Sequence, residues 1–309
     1  MAERKGTADV IHDIGFRHYD GPRLGRGWIV RSLLLETLRG VFGLGRPARV
    51  KTMPWVLVGI LTAPALIMAT VVILLHQDTL PLSYTQYPQG MWLIVAMFVA
   101  GRAPYAVSRD LRDGVMPLYL SRPLKQSDYV FAKFAGLSLG VFLFVALPET
   151  VLLIGALLAK LPMVDNILGW LGGLLMAAIL AILLSALSLV LAAFTTKRGL
   201  GVAAIMTTLI LANGMSNILT QVMRQTGYPG LGRYFRGLDP FGLIDELGHS
   251  YLGVARLDNG GGPRHAGGGF IYIEPPRLII GVVFTVILVG FVGGCIGILL
   301  RRYRKVGGL

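Results

Sequence analysis

The residues best equipped for chemistry stand where polarity is most costly. Pro148-Glu149 lies within an apolar run from Leu137 to Ala159. Counting back from Ala159 at the helical rise puts Glu149 about 15 Å inside that run, where an ionised carboxylate costs several kcal/mol. Such a group is protonated, hydrogen-bonded or facing water. It serves either as a substrate or proton site, or as a neutral acid taking up hydrogen bonds that Pro148 frees. Farther along, Asn213, Asn217, Thr220, Gln221 and Arg224 recur at helical spacing and form one polar stripe. A stripe of this kind either lines a hydrated substrate route or supplies interhelical hydrogen bonds worth roughly 0.6 to 2 kcal/mol each.

Other chemistries find little support. His12, His18 and the neighbouring aspartates match no zinc spacing, and the Asp-Gly-Pro at 20–22 makes a turn. The single cysteine, Cys295, lies inside an apolar run, which removes an internal disulfide and a cysteine pair for zinc. The phosphate-loop pattern G-x-x-x-x-G-K-[ST] is missing, so ATP and Mg are not expected to bind here. Gly260–Gly262 and Gly267–Gly269 read instead as flexible linker around Pro263, Arg264 and His265.

The elements that must position these residues are membrane helices. The chain has 309 residues, 54% hydrophobic and 15% charged, where a soluble domain carries about 25% charged. Its mean hydropathy is +0.66. Runs of the ~20 apolar residues needed to cross a bilayer fall at Met53–Leu75, Gln89–Val107, Leu137–Ala159, Leu168–Phe194, Leu200–Met223 and Arg277–Leu300. Backbone groups in hydrocarbon are satisfied within a helix, and the runs lack the alternation of barrel strands. The expectation is an all-α polytopic fold of six spans. A cytoplasmic segment 1–52 precedes the 53–300 transmembrane domain, and a basic tail 301–309 follows it.

Charge sets the expected orientation. Of 29 basic residues, 22 fall before the first span, in 102–133, at Lys197 and Arg198, or in 301–305, all on one side of a six-span chain. Both termini are therefore expected in the cytoplasm. Arg224, Arg233, Arg236, Arg256, Arg264 and Arg277, in or bordering the outside loop at about 224–276, are the discordant set. The net charge of +13 reads as topology and contact with anionic lipid rather than nucleic acid, since no basic stripe with interleaved aromatics occurs. The first fifty residues lack the apolar core of a signal peptide, so the first span is expected to direct insertion.

Four local features complete the reading. At 28–44, Ile29, Leu33, Leu34, Leu38, Val41 and Phe42 share a helical face, suited to the membrane interface or to a protein surface. Between the second and third spans, at about 108–129, a charged stretch ends at Gly114. Val115, Met116, Leu118, Tyr119 and Leu120 then form an apolar patch, Arg122-Pro123 turns the chain, and Ser127-Asp128 can cap the next helix. That patch is either a docking knob or an ordinary interfacial loop. Gly136 and Gly140, Gly172 and Gly173, and Gly293 and Gly297 permit close helix approach, with packing inside one subunit as the default. Asp239-Pro240 starts a short outer helix, either one whose Phe241, Ile244, Leu247 and Tyr251 face the membrane or a plain surface helix.

The charged turn R-D-L-R-D-G, then S-R-P-L and a stretch ending at Lys133, resembles the first cytoplasmic loop of ABC-2 type permeases, the membrane subunits of ATP-binding cassette exporters. Y-D-G-P-R ahead of the first span is similar to a motif of bacterial permeases of this kind, and the likeness extends over nearly the whole chain. The resemblance implies a cytoplasmic coupling helix docking into an ATPase, with Asp110, Asp113, Gly114, Leu118, Tyr119, Arg122 and Pro123 bounding or forming the contact. It further implies two ABC ATPase subunits that bind the ATP and Mg, and a second permease copy or a related permease. The location implied is the bacterial cell (plasma or inner) membrane, multi-pass. The translocation-path candidates are Glu149, Asn213, Asn217, Thr220 and Gln221.

Two other classes fit parts of the sequence. A membrane-embedded enzyme, an intramembrane protease or a lipid-modifying one, would make Glu149 catalytic. A metalloprotease needs histidines beside the glutamate, and no histidine lies within a span apart from His76 at an edge. A mechanotransmitting component would move an extracytoplasmic partner instead of a solute.

Overall fold

The computed structural model describes residues 21, 25–45, 47–112, 124–195, 197–253, 256–257, 271–272 and 278–306. Among them the elements are helices, apart from a two-residue antiparallel ladder of β1 (Arg256–Leu257) and β2 (Ile271–Tyr272). In order, α1 covers Arg26–Val41, α2 Ala48–Leu74, the single turn α3 Tyr87–Gly90, α4 Trp92–Arg112 and α5 Gln126–Leu158. There follow α6 at Met163–Phe194, α7 at Arg198–Gln225, α8 at Pro229–Phe235, α9 at Pro240–Leu252 and α10 at Leu278–Val306.

Five of these, α2, α5, α6, α7 and α10, are long and apolar enough to cross a membrane. The expected second span exists as α4, but its apolar part is Trp92–Val107. That stretch rises roughly 24 Å, against a hydrocarbon core of about 30 Å. The helix then takes in the charged sequence 108–112. By contrast, α5 begins at Gln126, well before the expected Leu137. Its 33 residues extend about 50 Å, so its first turns stand beyond the apolar layer.

The bundle is built around α4, α5 and α6, with α5 against α6 the most extensive pairing. Phe98 of α4 stacks on Phe144 of α5 at 3.9 Å and 4°. Leu137, Leu152, Leu180 and Leu184 are buried around them. α7 and α10 flank this centre and turn large side chains outward, including Leu211, Ile218, Val282 and Val289.

Two expectations about apolar faces are corrected. The face of α1 carrying Leu33 and Val41 lies against α5 of its own chain. A Cβ on Gly136 would come within 2.7 Å of Thr37 Cβ, and one on Gly140 within 2.8 Å of Val41 Cγ1. The close approach expected of Gly136 and Gly140 is therefore real, and α1 occupies it. Gly155 likewise meets Ala69 of α2. Around Gly293 and Gly297 of α10, however, no described atom lies within 4 Å of an added Cβ, so none of the described residues fills that pair.

Candidate site and outer cap

The second correction concerns the outer helix. Asp239 caps α9 as expected, its carboxylate accepting from the Gly242 N–H at 3.0 Å, and Gly253 ends the helix at φ 65. Yet every residue from Pro240 to Ser250 is buried. Phe241, Ile244 and Leu247 join the main core and do not face the membrane, and Tyr251 alone of the four is exposed. The segment after α7 thus folds back onto the bundle as a cap.

Buried charge holds this cap together. Arg236 Nη1 lies 2.7 Å from Asp245 Oδ2 and 3.7 Å from Glu246 Oε1. Arg233 Nη2 lies 3.4 Å from Glu246 Oε2. A buried charge needs a partner, because an unpaired ion in a low-dielectric interior costs several kcal/mol. The pairing also gives a physical reason for two of the discordant outside arginines: their task is to neutralise Asp245 and Glu246. The signal was present in the sequence as two arginines three apart followed by an adjacent acid pair in an apolar segment, but sequence reading passed over it.

The polar stripe on α7 is divided by this cap. Asn213 Nδ2 donates to Asp239 Oδ2 at 3.0 Å, and Thr220 Oγ1 donates to the Gly232 carbonyl at 3.1 Å. Both residues therefore fasten α8 and α9 to α7. Burial pushes the Asp239 carboxyl above its ordinary value, opposed by the Gly242 and Asn213 hydrogen bonds. Asn217 is exposed and donates to Asn213 Oδ1 at 3.0 Å, and Gln221 is exposed as well. Of the four α7 candidates, Asn213 and Thr220 thus bond to the cap while Asn217 and Gln221 are exposed.

Glu149 occupies a different place. Its side chain is fully buried on α5, and neither carboxyl oxygen has a hydrogen-bond partner among the described residues. Gly173 of α6 faces it: an added Cβ there would sit 3.3 Å from Glu149 Oε2 and 2.7 Å from Tyr84 Cβ. The Tyr84 hydroxyl donates to Asn166 Oδ1 at 3.0 Å. Burial raises that phenol to about 12, keeping it a neutral donor. Gly173 also lines a small pocket, with room for about one water. Thr85, Gln89, Gly173, Met176, Phe241 and Ile244 are among its lining residues. Both Glu149 and the close-packing Gly173 stand out in the sequence, but that Gly173 faces Glu149 follows only from the packing of α6 on α5.

The loop between α4 and α5 is described at its two edges. Asp110 lies in the last turn of α4, whereas Asp113, Gly114, Leu118, Tyr119, Arg122 and Pro123 lie outside the described residues. Where the chain resumes, Leu124 is buried and Asp128 accepts from the Lys125 N–H at 3.1 Å. The cap acid is thus Asp128 as expected, with Lys125 in place of Ser127 at the N-cap position. Arg26 of α1 grips both Asp128 oxygens, its Nε and Nη2 each at 2.6 Å. The next residue, Tyr129, packs on Tyr303 of α10 with ring centroids 5.3 Å apart. Among the described residues, no group of three or more histidine, cysteine, aspartate or glutamate side chains is placed to hold a metal.

Helices this long and apolar, packed around a buried centre, define a multi-pass membrane protein. Residues 47–299 match the ABC-2 family transporter protein, and the chain belongs to that family. It is therefore a membrane permease of the ABC transporter class, and membership implies association with an ABC ATPase. Among individual curated proteins, none matches the chain at a significant level.

Proposed function

We propose that the chain is the membrane-spanning permease subunit of an ATP-binding cassette exporter in a bacterial plasma membrane. Two copies, or this chain and a related permease, work with two ATPase subunits that bind the ATP and Mg. In this reading α4 is the second of six spans, both termini are cytoplasmic, and α1 lies at the inner interface with Trp28, Arg31 and Arg39 outward. The distribution of basic residues supports this orientation.

The observation that carries the mechanism is the junction just after the 113–123 segment. A displacement delivered there meets Leu124 in the core, Asp128 tied to α1 and Tyr129 packed on α10, all within two turns. α5 then carries the motion past Gly136 and Gly140 toward Glu149. Closely packed interiors transmit such shifts as rigid steps. Substitutions that disrupt Leu118, Tyr119 or Arg122 are expected to abolish permease-dependent stimulation of the ATPase while membrane insertion stays intact. Unchanged stimulation would overturn the coupling role.

For the path, the buried carboxyl beside the pocket is the better candidate, and Asn213 and Thr220 serve the cap. Glu149→Gln should alter transport more than assembly, and Asn213→Leu should loosen the cap by about 1 kcal/mol. Hydrogen exchange of residues 229–252 measures the second effect.

A further inference from the structure

Cations gather where α6 ends and α10 runs out. The Arg302 guanidinium of α10 lies over the ring of Phe194, the last residue of α6, with its Cζ 4.4 Å from the centroid. Four residues past Phe194, Arg198 opens α7 just after Lys197, and a chain this short spans at most about 14 Å. Arg301 and Arg304 are exposed on either side of Arg302. Ion pairs among the described residues go to Arg26, Arg233 and Arg236, and no described acid pairs with Lys197, Arg198, Arg301, Arg302 or Arg304. Charge left without a protein partner at the end of membrane helices is complemented by an anion from the membrane itself.

Apolar surface leads away from this charge. α6 packs on both α7 and α10, whereas α7 and α10 make no comparable contact with each other. At the cap end α9 packs against both and bridges the cleft between them. At the opposite end Phe194 is 57% exposed. Leu187, Val190 and Leu191 stand one and two turns back on the same face of α6, all partly buried. Ile298, one turn from Arg302 on α10, is 44% exposed. An apolar floor with a cationic rim has the layout of a phospholipid, hydrocarbon against the helices and phosphate against the guanidiniums. The ring beneath Arg302 holds that guanidinium at the rim.

We propose that Arg302, Arg198 and the cleft ending at Phe194 form a binding site for an anionic phospholipid. A zwitterionic lipid brings its own cation beside the phosphate, so net negative charge decides the preference. Which leaflet the lipid occupies rests on the orientation proposed above, and binding itself does not. The test titrates the full chain in detergent with dioleoyl phosphatidylglycerol and, separately, dioleoyl phosphatidylcholine, and resolves the lipid-bound states by native mass spectrometry.

Wild type should retain phosphatidylglycerol at least about tenfold more tightly, the value of one charge-assisted hydrogen bond. Replacing both arginines, Arg198→Gln with Arg302→Gln, should remove that preference and leave phosphatidylcholine unchanged, which also reports an intact fold. Phe194→Leu keeps the apolar floor and both charges, and should weaken phosphatidylglycerol roughly threefold through loss of the cation–π contact. Arg39→Gln removes an exposed cation of α1, which packs on α5 and α4 instead of lining the cleft, and should change nothing. Equal binding of the two lipids by wild type, or a preference that survives in the double variant, would overturn the proposal. So would a loss from Arg39→Gln matching that from Arg302→Gln, since general attraction would then suffice, or displacement of the lipid by inorganic phosphate, which would mark an anion site without lipid. Protease accessibility of the α10 terminus in spheroplasts reads the leaflet separately, so a wrong orientation and a wrong ligand class are told apart.

Discussion

α5 and α10 carry the same glycine spacing and put it to opposite uses. Gly136 and Gly140 are filled by Thr37 and Val41, two residues at the same four-residue interval on α1. Gly293 and Gly297 are open, as are Gly290 and Gly294 beside them. A small residue every turn permits a close approach but does not create one. What decides is a second helix with branched or small side chains in matching register, and α1 supplies it at the base of α5. The Arg26 fork on Asp128 then fixes that register from below.

The largest effect is expected where the space is already taken. Gly140→Leu would drive a side chain into Val41, whose Cγ1, Cβ and Cγ2 all lie within 3.3 Å of the added Cβ. Overpacking of this kind costs about 1–3 kcal/mol. Thermal unfolding of the chain in nanodiscs should show it. The contact is confirmed as the cause if Gly140→Ala is destabilising alone and recovers most of the loss with Val41→Ala, a coupling that a double-mutant cycle measures. Additive effects would break the pairing of α1 with α5.

Much of this architecture is legible in the sequence, and what is not has physical reasons. Hydrophobic run length located the helices because backbone hydrogen bonding in hydrocarbon leaves a chain few alternatives. The start of α5 was legible to within two residues in the Ser127-Asp128 cap, whereas the apolar run begins only at Leu137 because Tyr129 and Lys133 interrupt it, yet both are buried in the packed base. Asp239 was legible as a cap because its reach to Gly242 is local. The burial of α9 was not, since Phe241 and Ile244 have the same composition whether they meet lipid or protein. Glu149 was conspicuous for its depth, but Gly173 becomes its neighbour only through tertiary packing. The patch at Val115–Leu120 lies outside the described residues.

Gly136→Ala should have a smaller effect, and it sharpens the comparison differently. The added Cβ would meet Thr37 Cβ at 2.7 Å and the Leu34 carbonyl oxygen at 3.0 Å. Backbone cannot be trimmed by mutation, so α1 itself must shift. A loss of about 1 kcal/mol is expected, at the low end for overpacking. Substituting Thr37→Gly should restore it incompletely. Complete rescue would show that the Leu34 backbone does not limit the approach, and that side chains alone set the α1–α5 distance.

The smallest effect belongs to α10. Gly293→Leu adds a side chain where no described residue lies within 4 Å of the added Cβ, so no contact among the described residues is lost. Leucine is a better helix former than glycine by roughly 0.5–1 kcal/mol, and unfolding should therefore move slightly toward higher stability or not at all. The same substitution is the sharpest way to break the comparison. Destabilisation of the isolated chain comparable to that of Gly140→Leu would mean that the face is already packed within the molecule, and the two helices would then use their glycines alike. If stability holds while the copies separate, as read by mass photometry of the solubilised protein, the open glycines serve a contact between chains. The same motif would then clamp a helix within the subunit at one end of the sequence and join subunits at the other.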